Sequence, residues 1–321
     1  MQKTKYILDL GSSYVSIYGS SLLLRQPNVA VVRRGNGIEL ISCGNDALAM
    51  REIPEHCSVV RPVAEGAVAH VEVMSLILKE FFAAVIPFSL FRAVEMYVLI
   101  PSGLSIAERE NVEAAVSKAG YKDVTLIESV LALSSLFPGG NRAVAIMGSG
   151  TTEIGVIDKD GIVSACSVNI AGNTVTDKII EQVYETYNLT ISWSAAEKLK
   201  TTIGSLYDND TSVTEVVGQD LLDGRMKSVE ISASSIRAPI LYCYRKIAEI
   251  IESVLTTIPY SRLAEVTANG LYIAGGGAEL RGLEDFLTRY LKLKVYRDDD
   301  PETVVIRSAA KLVDEGRLFR R

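Results

Sequence analysis

The sequence predicts an α/β protein built from two duplicated α/β domains around a central cleft. Three observations carry this. The chain has 321 residues, too many for one compact core. Each half opens on an apolar strand, a Gly-Ser turn and a second strand: residues 9–18 read DLGSSYVSIY and residues 146–156 read IMGSGTTEIGV. A third glycine cluster, Gly275-Gly276-Gly277, ends a short apolar strand late in the chain. Two halves that begin alike imply a duplicated fold with a pseudo-twofold axis.

The elements follow in order. Residues 5–10 are β-rich, Gly11-Ser12-Ser13 is a turn, and residues 14–18 alternate back. Strand character continues over 29–43. A helix is expected over 72–84, where Val73, Leu76, Ile77, Phe81 and Ala84 recur at helical spacing. Residues 96–100 read as a buried strand ended by Pro101-Ser102-Gly103. Ser105 is placed to cap a helix over 106–119 with Glu108 in its first turn, and Gly120 to close it. A strand at 123–127 and a helix at 128–136 complete the first domain. Pro138-Gly139-Gly140-Asn141 marks the boundary, giving domains over 1–138 and 139–302. The second half continues with a strand at 162–168, a helix from about 174 to 187, a strand at 271–274 and a helix at 279–291.

Composition excludes several functions. Hydrophobic residues make up 48% of the chain, so it buries large cores and is not expected to be disordered. The net charge is −6, the pI is about 5.2, and no basic block interrupts the acidic surface. Nucleic acid and polybasic contact with anionic lipid are therefore not expected. The cysteines Cys43, Cys57, Cys166 and Cys243 form no C-x-x-C pair, and only His56 and His70 accompany them. They read as reduced thiols of a cytosolic protein rather than a zinc site. The first apolar run breaks at Asp9, too short for a signal peptide, and no run of eighteen apolar residues occurs.

The glycine turns carry the chemistry. Glycine lets backbone approach an anion closely, successive amides point at it, and Ser or Thr hydroxyls add donors. One Gly-Ser turn alone is an ordinary hairpin; two matched turns point to phosphate. A strand that meets a helix through three glycines offers further donors. The chain lacks both G-x-x-x-x-G-K-[ST] and G-x-G-x-x-G after a first strand, so it is neither a Walker-type nor a dinucleotide-binding protein.

The motif order DLG, VLIPSGxxxxER, LIES, GSGTTE, AGN, AAEKLKxxIGS and IAGGGAELRGL resembles the MreB family of bacterial actin homologues from about Tyr6 to about Lys311. That resemblance implies an actin-like fold, of the superfold shared by actin, Hsp70 and sugar kinases, with ATP or ADP bound. It places Asp9, Gly11, Ser12, Ser13 and Tyr14 on the first phosphate loop, with Asp9 holding Mg²⁺ through water. Gly148, Ser149, Gly150, Thr151 and Thr152 fall on the second. Glu197 and Lys200 fall on the helix flanking ribose and adenine, and Gly275, Gly276, Gly277 and Ala278 on the adenosine loop. Glu108 matches the glutamate that orients the attacking water. The resemblance also implies small subdomains over about 30–68 and 174–240, and a helix at about 303–318 that packs back on the first domain.

The departures from the family pattern fall mainly near the phosphates. Ile146 stands where the second phosphate strand usually carries aspartate, and isoleucine cannot coordinate a hard cation. His70, Asn173 and Glu128-Ser129-Val130 also differ from the usual residues. Mg²⁺ binding is therefore expected to be weakened, and the chain to be at most a slow ATPase. The apolar loop at 86–91 matches the position at which MreB proteins touch the bilayer, with Leu90 and Phe91 as the contacts. The expectation is a membrane-associated, filament-forming cytoskeletal protein on the cytoplasmic face of the plasma membrane. It would assemble with itself and with an MreB paralogue, and organise cell shape or wall synthesis. The alternative is a non-hydrolysing scaffold, or a PilM-like or FtsA-like relative acting through partners.

Overall fold

The computed structural model describes residues 3–87, 93–137 and 139–318. The chain divides into two units. One takes Met1–Gly139, Lys159–Ile162 and Thr303–Arg321; the other takes Gly140–Asp158 and Val163–Glu302.

The first unit opens with β1 (Thr4–Leu10), β2 (Tyr14–Tyr18) and β3 (Leu22–Pro27), an antiparallel meander. Three more strands, β4 (Ala30–Arg34), β5 (Ile38–Cys43) and β6 (Cys57–Val60), form a separate sheet with the short helix α1 (Gly44–Ala49). The strand character expected over 29–43 resolves into β4 and β5, because Gly35-Asn36-Gly37 turns the chain, with the Gly35 amide donating to the Gly37 carbonyl at 3.0 Å. A two-residue pair, β7 (Val63–Ala64) and β8 (Ala67–Val68), leads into α2 (Val71–Val85). Then come β9 (Val94–Ile100), α3 (Ile106–Lys118), β10 (Val124–Glu128) and the short α4 (Ser129–Ala132).

The main sheet of this unit has the order β10-β9-β1-β2-β3, with β9 parallel to both β1 and β10. Period-two alternation sends Leu8, Leu10, Val15 and Ile17 to one face. There they bury against Met74, Ile77, Leu78 and Phe81 of α2 and Val112 and Val116 of α3. Each such side chain contributes about 1.5–3 kcal/mol on burial.

The second unit repeats the plan. It runs β11 (Arg142–Met147), β12 (Thr152–Asp158), β13 (Gly161–Val168), α5 (Gly172–Tyr187), β14 (Leu189–Thr190) and α6 (Trp193–Ile203). It continues with β15 (Val213–Asp220), β16 (Met226–Ser232), α7 (Ala233–Thr256), α8 (Tyr260–Asn269), β17 (Leu271–Ala274), α9 (Leu283–Leu291) and β18 (Val295–Arg297). Its main sheet has the order β13-β12-β11-β17-β18, with β17 parallel to both β11 and β18. Meander strands on one side and parallel strands on the other give the same arrangement as in the first unit. Its core joins Val144's neighbours Ala143 and Ala145 to Ile179 and Val183 of α5 and Ile240, Ile247 and Ile251 of α7.

The helix expected over 279–291 starts later. A 3₁₀ turn at Gly276–Glu279 comes first, and Gly282, at φ 80°, separates it from α9. The last helix, α10 (Val304–Asp314), belongs to the first unit, where it lies on β1, β2 and α4. The Ser135 hydroxyl donates to the Ser308 carbonyl at 2.8 Å there.

Candidate nucleotide-binding residues

The two hairpins match residue for residue. In the first, Asp9 pairs with Ser16 and Leu10 with Val15; in the second, Ile146 pairs with Glu153 and Met147 with Thr152. Residues 11–14 and 148–151 are left as turns of equal length. A Cβ on Gly11 would come within 2.9 Å of the Tyr14 carbonyl oxygen, and one on Gly148 within 3.0 Å of the Thr151 carbonyl oxygen. Both turns therefore need glycine at the same place and for the same reason.

Neighbouring groups tie the turn carbonyls back. Asn28 donates its side-chain amide to the Gly11 carbonyl and its backbone amide to the Ser13 carbonyl, both at 2.8 Å. In the second unit the Gly172 amide donates to the Gly148 carbonyl at 3.0 Å, and the Asn173 amide to the Ser149 carbonyl at 2.8 Å. Across a trans peptide the next N–H points opposite to the carbonyl. The tied carbonyls thus turn the amides of Ser12 and Tyr14, and of Ser149 and Gly150, the other way. Amides turned outward in this way are donors for an oxyanion, and in the second turn they are successive. Ser12 is buried, and Thr152 is fully buried with its hydroxyl donating to the Ile170 carbonyl at 2.7 Å.

The charges of the two hairpins differ. Burial pushes the Asp9 carboxyl up to about 6, against the pull of Arg25 nearby. In the second hairpin the acid is Glu153, buried on the strand opposite Ile146. Directly paired residues of antiparallel strands share a face, so this carboxylate lies on the same side of the sheet as the Ile146 side chain. Reading Ile146 alone misses it; the signal was Glu153 itself, in hairpin register. Asp158 is paired with Arg262 of α8.

Several expected residues converge in the second unit. The register of β11 with β17 sets Ile146 beside Ala274, so the glycine loop starts next to the second hairpin turn. Gly275 holds φ 82° and a Cβ there would meet the Met147 carbonyl oxygen at 2.5 Å, so only glycine fits. The Gly277 carbonyl accepts from the Tyr244 hydroxyl at 2.9 Å, and burial raises the Tyr244 pKa. Ala278 is buried behind this loop. Lys200 donates to the Gly172 carbonyl at 2.9 Å, to the Thr176 hydroxyl at 3.0 Å and to the Glu197 carboxylate at 2.7 Å. Glu197 also accepts from Thr176 at 2.5 Å. Glu197 and Lys200 thus brace Gly172, whose amide holds the second turn. Thr176 and Tyr244 were not expected from the sequence, since only the packing of α5 and α7 brings them here.

Glu108 lies in the first unit as half of a capping box. Its carboxylate accepts from the Ser105 amide at 2.8 Å and the Ser105 hydroxyl at 2.6 Å, and these bonds hold its pKa below the ordinary glutamate value. Leu90 and Phe91 lie outside the described residues. Among the described residues no group of three or more His, Cys, Asp or Glu side chains is arranged to hold a metal, and no helix is long and apolar enough to cross a membrane. Mg²⁺ takes one or two carboxylates plus substrate phosphates and water. Asp9 supplies one such carboxylate in its hairpin; in the second hairpin Ile146 supplies none at the matching position, and the carboxylate on that face is Glu153.

The fold matches MreB5 of Spiroplasma citri bound to AMPPNP with a TM-score of 0.90, at 24% identity over 98% of this chain and 97% of that one. It matches a MamK double helical filament with a TM-score of 0.80, at 18% identity over 97% and 99% of the two chains. At such identities the likeness speaks for the fold alone, and the fold is actin-like. A family model described as MreB/Mbl protein matches residues 3–320, and the chain belongs to that family of actin-like, cell shape-determining proteins. It is 28% identical to the cell shape-determining protein Mbl of Bacillus subtilis, over 98% of this chain and 97% of that protein. It is 28% identical to the cell shape-determining protein MreB of Escherichia coli K12, over 96% and 92%.

Proposed function

We propose that this chain is a nucleotide-binding, filament-forming cytoskeletal protein that binds ATP or ADP with little help from Mg²⁺ and hydrolyses ATP slowly or not at all. The observation that carries this reading is the pair of matched hairpin turns, each with its glycine against the turn backbone and its carbonyls tied away. In this reading Gly11–Tyr14 and Gly148–Thr152 take phosphate, and Gly275–Ala278 takes the adenosine end. Glu197 and Lys200 hold the second turn in shape. Solved relatives bound to AMPPNP and to ADP, and a relative in a double helical filament, support nucleotide-linked self-assembly.

Ile146 favours weak turnover, because isoleucine is not itself a ligand for a hydrated metal ion. The apolar sequence that includes Leu90 and Phe91 provides contact with the inner face of the plasma membrane, multiplied along a polymer. Calorimetry with ADP and ATP, with and without Mg²⁺, tests the reading together with pelleting and electron microscopy. The expected result is binding in EDTA, filaments with nucleotide and no phosphate release above background. A protein that stays monomeric with every nucleotide refutes assembly, and steady Mg²⁺-dependent phosphate release refutes the reading of Ile146.

A further inference from the structure

We propose that Arg25 is a phosphate-binding cation of the first hairpin, taking an oxyanion of a nucleoside di- or triphosphate in place of part of the charge a metal ion would supply. This rests on the nucleotide-binding reading above.

The sheet register brings Arg25 to the phosphate turn. Asp9 pairs with Ser16, and Ser16 with Arg25, so the three form one row across β1, β2 and β3. Directly opposed residues on antiparallel strands share a face, so all three side chains lie on one side of the sheet. Tyr14 lies two residues before Ser16 and projects to that same side. The Arg25 guanidinium carbon sits over the Tyr14 ring, 4.0 Å from its centroid. A cation over the face of an aromatic ring is attracted by the ring quadrupole. A long, mobile side chain is thereby held beside the last residue of the phosphate turn. The Arg25 charge reaches inward as far as Asp9.

The second hairpin has no such arrangement. The row that begins at Ile146 continues with the acidic Glu153. An ammonium has three N–H donors, and Lys200 commits its three to Gly172, Thr176 and Glu197. Its task is to brace the turn. Arg25 on β3 is the cation that the register places beside the first turn, and arginine suits phosphate because its planar donor fork matches two oxyanion oxygens.

The test is calorimetric titration of the full chain with ADP, AMPPNP and adenosine, in EDTA and in Mg²⁺. Wild type, Arg25→Gln, Arg25→Lys and Tyr14→Ala are compared, with circular dichroism and melting to confirm folding. Arg25→Gln is expected to weaken ADP and AMPPNP about tenfold or more in EDTA. Adenosine affinity should not change. Arg25→Lys should keep part of the phosphate affinity, and Tyr14→Ala should lose part of it by freeing the arginine. Folded Arg25→Gln and Arg25→Lys proteins that bind ADP as wild type does overturn the assignment while leaving nucleotide binding intact. A wild-type chain that binds neither ADP nor AMPPNP overturns the reading on which it rests.

Discussion

The two hairpins share a backbone and differ in charge. Both close with the same register, the same turn length and the same glycine pressed on a turn carbonyl. The first carries its acid on the leading strand, at Asp9, with Arg25 in the row; the second carries an apolar residue there and its acid on the returning strand, at Glu153. Backbone geometry set by glycine and ladder pairing survives a change of the side chains in the strands, because neither the ladder hydrogen bonds nor the turn length depends on them. Charge has no such protection. The turn backbone is the same in both hairpins, and the charged side chains around it are not.

The contrast extends to the loop after the parallel strand of each sheet, and the largest expected effect lies there. Gly275, after β17, has no room for a Cβ against Met147, whereas Gly103, after β9, has nothing within 4 Å of where a Cβ would stand. Both hold positive φ, at 82° and 88°. Gly275→Val meets backbone as well as dihedral strain and should cost about 3 kcal/mol or more. Gly103→Ala meets the dihedral strain alone, about 1 kcal/mol. Urea unfolding of both variants measures the difference. Equal losses would mean that the close packing on Met147 contributes nothing.

The same contrast explains what could be read in the sequence. The duplicated fold was legible because a Gly-Ser turn between two strands leaves a local signature, and it occurs twice. The glycine loop was legible for the same reason. Helix α9 begins at Leu283 rather than 279 because Gly282 at positive φ breaks the chain after a 3₁₀ turn, and three preceding glycines masked that signal. Strand character over 29–43 was legible, and Gly35-Asn36-Gly37 marks the turn between β4 and β5. Glu153 needed hairpin register, and Tyr244 needed the packing of a 24-residue helix that carries Pro239 inside it. Side chains that act across elements are set by tertiary contact, which no local pattern encodes.

Asp9 offers a middle-sized test of the charge difference. Its carboxyl titrates near 6 in the folded protein and near 3.8 when unfolded. A folded pKa above the unfolded one means the folded state binds the proton more tightly. Ionising Asp9 therefore costs stability, a cost that is absent below the unfolded value and complete above about 6. Asp9 is partly exposed, which trims the effect to about 1–2 kcal/mol at pH 7. Asp9→Asn should be the more stable protein at pH 7 by that amount and no more stable than wild type at pH 4. Unfolding free energies across that range decide it, and a gap that does not vary with pH would remove the burial argument.

The smallest effect separates the starts of the two helices that follow the parallel strands. Helix α3 begins on the Ser105–Glu108 capping box, whereas α9 begins on Gly282 with no side-chain cap. Glu108→Ala should cost about 0.5–1 kcal/mol at pH 7, since the carboxylate is exposed and worth only a cap. Its pKa is depressed in the folded state, so this contribution is present above the ordinary glutamate value and is lost as pH falls through the lower folded value. The difference between wild type and variant should accordingly close in acid. A cap acts on the helix and leaves nucleotide affinity alone; a carboxylate that orients water would also leave affinity alone but abolish any residual phosphate release. Measuring stability and turnover on the one variant therefore separates the two roles. Lost stability with unchanged turnover would make Glu108 a cap and nothing more.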